Sequence, residues 1–272
     1  MSEDRWTIID DAHDPRLDLY HHLTDADARR SLESDHGIFV AEGTGVIRRL
    51  LGSTYPVRSL LLLPSRAEEL APDLEVCAAP AFVAERSVLA EVTGFDVHRG
   101  ALAIADRRAL TEPSALITGA RAIVILEGVN DHENLGAVVR SASALGVDAI
   151  LLDPTCADPL YRRAVRVSMG EVLFLPWTRL TPWPSGLARV RAAGFALIAL
   201  TPAHDAEPLE RVLDGVEGPV ALLLGAEGPG LSAAAQLAAD HRARIPIRPG
   251  VDSLNVGHAA AIAFHSVARR RP

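Results

Sequence analysis

Ile245-Pro-Ile-Arg-Pro-Gly-Val-Asp-Ser253-Leu-Asn255-Val-Gly-His-Ala-Ala-Ala-Ile262 is the stretch from which the fold can be read. The apolar run over 244–247 reads as a short strand stopped by proline. A polar loop with a glycine follows, and Ser253 and Asn255 stand where an alanine-rich helix begins. Twenty residues upstream, Leu222-Leu-Leu-Gly225-Ala-Glu227-Gly-Pro-Gly230-Leu-Ser232 has the same plan: apolar strand, glycine loop with one carboxylate, helix start. A third copy opens at Ile125: Ile-Leu-Glu127-Gly-Val-Asn-Asp-His-Glu-Asn134-Leu-Gly136-Ala-Val-Val-Arg140. Three strand-to-loop-to-helix junctions, each carrying polar groups, describe one site at the carboxyl edge of a parallel sheet.

Outward from these junctions the second part of the chain alternates regularly. Strands are predicted at 122–126, 149–152, 172–175, 196–200, 220–224 and 244–247. Helices are predicted at 134–145, 161–168, 183–193, from 230, and from the last junction to about 269. Strands that are apolar throughout, separated by helices, mean a parallel sheet covered on both faces. The first part has shorter elements: strands at 37–42, 57–63, 74–78 and 101–105, with helices at 43–51 and 85–91, which indicates a small α/β domain. Residues 107–119 contain a Pro and a Gly and break the pattern, so the division is placed at 1–112 and 113–272.

Bulk properties bound the function. With 272 residues and 49% hydrophobic content the chain can bury a sizeable core. No apolar run approaches the roughly 20 residues that span a bilayer, and residues 1–18 are charge-rich, without the apolar centre of a leader. Cys77 and Cys156 show no paired spacing, which argues against a disulfide framework or a zinc site and for a reducing, cytoplasmic setting. All 27 basic residues are Arg. Residues 1–112 hold 12 Arg against 20 acids, a net of −8, whereas 113–272 hold 15 of each. A nucleic-acid partner would therefore have to meet a local Arg patch, not a basic chain.

Each polar residue of the junctions has two readings. Gly225, Gly228 and Gly230 form G-x-x-G-x-G, not the dinucleotide G-x-G-x-x-G, and serve a tight turn or a ligand loop. Glu227 is a site carboxylate or the cap of the helix from Gly230. Asn134, Ser253 and Asn255 are site residues or N-caps. Arg140 is a surface cation or an active-site one, and Ile245 and Leu254 are core or pocket lining. The histidines show no metal-binding spacing, so no metal is predicted.

Taken in order, the three segments resemble the SpoU (TrmH-type) branch of the SPOUT methyltransferases, over about residues 121–272 and more weakly before. The resemblance implies a deep trefoil knot that binds S-adenosyl-L-methionine, methylation of a ribose 2'-hydroxyl in rRNA or tRNA, and a homodimer with the site near its interface. It implies an N-terminal domain of ribosomal L30e type that helps to grip RNA, to which 39–43 and 94–100 look similar. Mapped onto this chain, the cofactor-contacting positions are Gly225, Ile245 and Leu254, with Thr201, Leu224, Gly228, Ile247 and Ser253 in the same loops. Asn134, Glu227, Ser253 and Asn255 border cofactor and ribose. Arg140, six residues after Asn134, corresponds to an arginine that points into the active site, often that of the partner subunit. A guanidinium is a poor base, so its roles are to stabilise a developing alkoxide, grip a phosphate or orient a proton acceptor. Two departures stand out: Asp131-His132-Glu133-Asn134 replaces Asp-Pro-x-Asn, and Gly257-His258 replaces Ser-Val after Ser-Leu-Asn-Val. A methyltransferase for another acceptor and a non-catalytic RNA- or cofactor-binding module are the rival readings.

Overall fold

The computed structural model describes residues 6–21, 23, 36–97 and 99–270; His98 of the 94–100 segment lies outside the described residues. The chain forms two compact units. Residues 1–108 together with 160–173 make the first, and residues 109–159 with 174–272 make the second. The stretch from Leu160 to Leu173 therefore packs with the N-terminal unit, although it lies far along the chain.

The first unit holds a mixed five-stranded sheet. Its strands are β1 (Thr7–Ile8), β2 (Ile38–Glu42), β3 (Val57–Leu62), β4 (Ala81–Val83) and β5 (Ala101–Asp106), in the order β1-β4-β3-β5-β2. Strand β5 is antiparallel to both β2 and β3. Tyr20 is fully buried in its core, where its hydroxyl meets Ser59 Oγ at 2.9 Å. The strand predicted over 74–78 is absent. Pro72 opens a short helix, Ala71–Leu74, and the extended segment begins only after Pro80, as β4.

The second unit holds seven strands, all parallel: β6 (Ala122–Glu127), β7 (Ala149–Leu152), β8 (Trp177–Arg179), β9 (Ala196–Leu200), β10 (Glu207–Pro208), β11 (Val220–Gly225) and β12 (His241–Arg244). The order is β10-β12-β9-β11-β6-β7-β8. Strands β6, β7 and β11 are buried almost throughout, which is why they read as unbroken apolar runs.

Three predicted elements need correction. The stretch 172–175 is not a strand: Met169 and Gly170, at φ 55° and 78°, turn the chain into a 3-10 helix, Glu171–Leu173, and extension resumes past Pro176 in β8. The last strand occupies 241–244, not 244–247, because Pro246 cannot donate to the neighbouring strand. The helix expected from 183 begins at Leu187, since Pro184 disfavours helical backbone at the residue before it.

Candidate active site

Register places the loops. Gly225 at the end of β11 pairs with Glu127 at the end of β6, while β9 lies between β11 and β12. Because all four strands run the same way, the segments following Glu127, Leu200, Gly225 and Arg244 emerge side by side at one edge. There the last three enclose a cleft lined by Thr201, Leu224, Gly225, Glu227, Gly228, Ile245, Ile247, Ser253 and Leu254, among others. Every cofactor position expected from the sequence thus lines a single cleft. Because 245–247 is irregular, not strand, Ile245 and Ile247 can turn their side chains toward it.

The glycines do different work. A Cβ on Gly225 would stand 2.1 Å from the carbonyl carbon of Gly230 and 2.2 Å from the amide nitrogen of Leu231, so the loop closes only on a residue without a side chain. Gly228 and Gly230 have φ of 84° and 68°, the left-handed region in which a side chain is strained. Gly230 donates its N–H to Ala226 O at 3.0 Å and seals the turn.

Two helices begin at the cleft. His132–Ala144 is capped by Asp131, whose Oδ1 accepts from the N–H of Asn134 at 2.8 Å; Asn134 does not cap its own helix. Val256–Ala268 is capped by Asn255, whose Oδ1 accepts from the N–H groups of Gly257 and His258. These two helices pack together, and Gly257 allows the approach: a Cβ there would lie 3.1 Å from Ala137 Cβ.

The amide of Asn255 joins the three motifs. Its Nδ2 donates to Asn134 Oδ1 at 2.8 Å and to Glu227 Oε1 at 2.5 Å. Glu227 Oε1 also accepts the N–H of Val256 at 3.1 Å. Glu227 therefore caps the final helix, not the one after Gly230, which Ser232 caps through Ala235 N. Ser253 lines the cleft and caps nothing. Arg140 is exposed and does not line the cleft of its own chain. Six residues along a helix turn it about 240° from Asn134 and carry it about 9 Å along the axis.

Two carboxylates escaped the sequence reading. Glu127 accepts from Trp183 Nε1 at 2.6 Å and from the N–H of Ser232 at 2.8 Å, and so holds the far end of the glycine loop. Asp153, 3% exposed, accepts from the N–H groups of Gly128, Thr155 and Cys156 and from Thr155 Oγ1. Burial pushes its carboxyl up, but these donors outweigh it and hold it below the usual carboxylate range. The neighbouring Cys156 thiol is pushed up to about 12, chiefly by burial and then by Asp153, which keeps it an unreactive thiol. The signal for both acids was their place at the end of a buried strand, Glu127 as its last residue and Asp153 just after it.

The cleft suits one kind of ligand. Its walls are mostly apolar side chains and backbone with Thr201 and Ser253, and among the described residues Glu227 is the one titratable group that lines it and no arginine does. That combination fits a flat adenosine with a cationic sulfonium better than a phosphate-bearing cofactor. A larger hollow, about 600 Å³, opens where the chain enters β6, β9 and β11, with Ile117, Val190 and Phe195 in its wall. None of its lining residues is an acid, whereas the glycine-loop cleft is lined by Glu227. Among the described residues no His, Cys, Asp and Glu group is arranged to hold a metal ion, and no helix is long and apolar enough to cross a membrane.

Comparison with known proteins gives this geometry a lineage. The family model described as SpoU rRNA Methylase family matches residues 121–265, the span of all three junctions. The chain belongs to the SpoU rRNA methylase family. An uncharacterized tRNA/rRNA methyltransferase of Mycobacterium tuberculosis is 46% identical over 262 residues, which is 95% of this chain and 90% of that protein. Among solved structures, the AdoMet-bound rRNA methyltransferase from Sinorhizobium meliloti superposes with a TM-score of 0.81 at 26% identity, covering 98% of this chain and 99% of that one. An RNA 2'-O ribose methyltransferase superposes with a TM-score of 0.77 at 28% identity, covering 97% and 99%. As a SpoU family member the chain has an α/β fold with a parallel sheet, as those structures do.

Proposed function

We propose that this SpoU family protein transfers a methyl group from S-adenosyl-L-methionine to a ribose 2'-hydroxyl of rRNA or tRNA, as a cytoplasmic homodimer. The observation that carries the reading is the cleft itself: a largely apolar pocket with one carboxylate, lined by two of the motifs and tied to the third through Asn255 and Asn134. The similarity to a solved RNA 2'-O ribose methyltransferase over nearly the whole chain supports the acceptor.

S-adenosylmethionine supplies a methyl group on a cationic sulfur. The chain does the rest. The loops at 201, 224–230 and 245–254 bind and orient the adenosine. Glu227 places negative charge in the cleft, and Asn255 fixes its carboxylate while tying Asn134 to it. Such displacement needs placement above all, and a rigid network at two helix starts provides it. Arg140, exposed and outside the lining of its own cleft, serves the partner subunit's cleft, where its guanidinium would stabilise charge developing on the 2'-oxygen as the hydroxyl proton passes to water. The partly exposed Ala259 and Ala261 beside the exposed Ile262 on the final helix support close association of two copies. The strand order of the second unit supports the deep trefoil knot over 113–272. Residues 1–112 form a substrate-binding domain of L30e type.

Calorimetry tests the cofactor: binding in the micromolar range, about 7 to 8 kcal/mol, is expected. Absence of binding up to millimolar S-adenosylmethionine would contradict the reading.

A further inference from the structure

The glycine loop that frames the cleft is fixed at its near end by strand pairing, since Gly225 stands opposite Glu127 in the register of β11 on β6. Its far end is Ser232, the cap of the helix Ala233–Ala238. A side chain from another strand fixes that end: Glu127 Oε2 accepts the Ser232 N–H at 2.8 Å. Glu127 thus meets both ends of the loop, one through its backbone and the other through its carboxylate. Between those ends lie Glu227, Gly228 and Gly230, all in the wall of the cleft.

The second carboxylate oxygen, Oε1, accepts Trp183 Nε1 at 2.6 Å. Both donors are neutral while the acceptor is charged, so each hydrogen bond is of the stronger, charge-assisted kind. Trp183 is itself held. Its indole packs against the core that includes Leu180, Leu187 and Phe195. The Gly186 N–H closes the turn on Pro182 O at 2.7 Å, and a Cβ on Gly186 would stand 2.8 Å from that same oxygen. Arg189 donates to Thr181 O across the start of the turn. A donor presented by so fixed a turn orients the Glu127 carboxylate, and the carboxylate places Ser232. Neither Glu127 nor Trp183 lines the cleft, so whatever they do to a ligand passes through the loop.

We propose that Glu127 and Trp183 are positioning residues for S-adenosylmethionine: the carboxylate, oriented by the indole, sets the shape of the glycine loop that receives the adenosine. The proposal rests on the reading of the cleft as the cofactor site. A carboxylate is required because both of its partners are donors. A glutamine would offer an acceptor to one of them and an N–H to the other. Once the Ser232 N–H is unanswered, the far end of the loop is released, and the glycines at 228 and 230 let it drift.

The test uses the full chain with S-adenosylmethionine alone, by calorimetry, with thermal unfolding measured alongside. Glu127→Gln should weaken binding about tenfold or more, and Trp183→Phe about threefold. Because Trp183 acts through Glu127, the double variant should bind no more weakly than Glu127→Gln, a non-additivity that two independent ties would not show. Tryptophan emission should shift when wild type is saturated with cofactor, and Trp183→Phe, which keeps Trp6 and Trp177, should lose that shift. A Glu127→Gln protein that unfolds at lower temperature yet binds like wild type would make the carboxylate a purely structural tie and overturn the proposal. So would additive losses, or an emission shift that survives without Trp183. Should Glu127→Gln not fold, Trp183→Phe decides, and wild-type affinity in that variant would sink the idea. Wild type that binds no cofactor up to millimolar concentration would instead remove the reading of the cleft.

Discussion

Asn255 donates one amide nitrogen to Glu227 at 2.5 Å and to Asn134 at 2.8 Å, so a single side chain couples the three motifs of the cleft. Removing it should loosen all three together. Asn255→Ala should cost about 1 kcal/mol as a lost N-cap, read from thermal unfolding. It should also weaken S-adenosylmethionine about tenfold, because Glu227 loses the partner that fixes it. Glu227→Gln keeps an acceptor for the Val256 N–H, so the fold should hold while cofactor affinity falls, read by calorimetry. An Asn255 variant that binds cofactor like wild type would show that the network only caps a helix.

Gly225 should tolerate no side chain. An alanine methyl would press on the backbone of Gly230 and Leu231, which has no rotamer with which to escape. Gly225→Ala should cost about 1 to 3 kcal/mol, the range for overpacking, and abolish cofactor binding at micromolar concentration. Gly215, with open space around its Cβ position, is the control: Gly215→Ala should leave binding unchanged.

Asp153 should make stability depend on acid pH. Its carboxyl is held below the usual range, so its contribution is complete above the ordinary carboxylate value and is lost as pH falls through the lowered folded value. Asp153→Asn should lower stability at pH 7 by about 1 to 3 kcal/mol, since buried N–H groups lose a charged acceptor. It should also flatten the decline below about pH 4, the reference carboxylate range. Denaturant unfolding across pH 3 to 7 checks both.

Much of this was legible because the second unit's strands are buried on both sides and punctuated by glycine. Val220–Gly225 and Ala122–Glu127 could be read directly, and the cleft positions followed. Other features depend on contacts that no local pattern carries. The left-handed turn at Met169 converts a strand-like run into a 3-10 helix, and the prolines at 72, 80 and 246 move two extended segments along the chain. Glu127 and Asp153 drew no reading of their own, because groups that donate to them lie up to 105 positions away. Glu227 was weighed as a cap for the wrong helix for the same reason: Val256 meets it only in three dimensions.

Arg140 should act across the dimer. Light scattering should give about twice the 29.0 kDa chain mass. Arg140→Ala should retain cofactor binding and lose turnover about a hundredfold or more. Mixing it with Gly225→Ala chains at micromolar cofactor should restore about a quarter of wild-type activity, since half of the mixed population has one intact composite site. A monomer, or two inactive variants that stay inactive together, would place the arginine elsewhere.

The central claim is the transfer of a methyl group to a ribose 2'-oxygen, and alkaline hydrolysis reads it directly. Bulk rRNA and tRNA from cells lacking the gene are incubated with the protein and S-adenosylmethionine labelled in its methyl group, then digested in alkali. A methylated 2'-oxygen cannot attack the adjacent phosphate, so the label should remain in alkali-resistant dinucleotides. Label released in mononucleotides would make the acceptor a base, and RNA that gains no label under cofactor saturation would contradict the account.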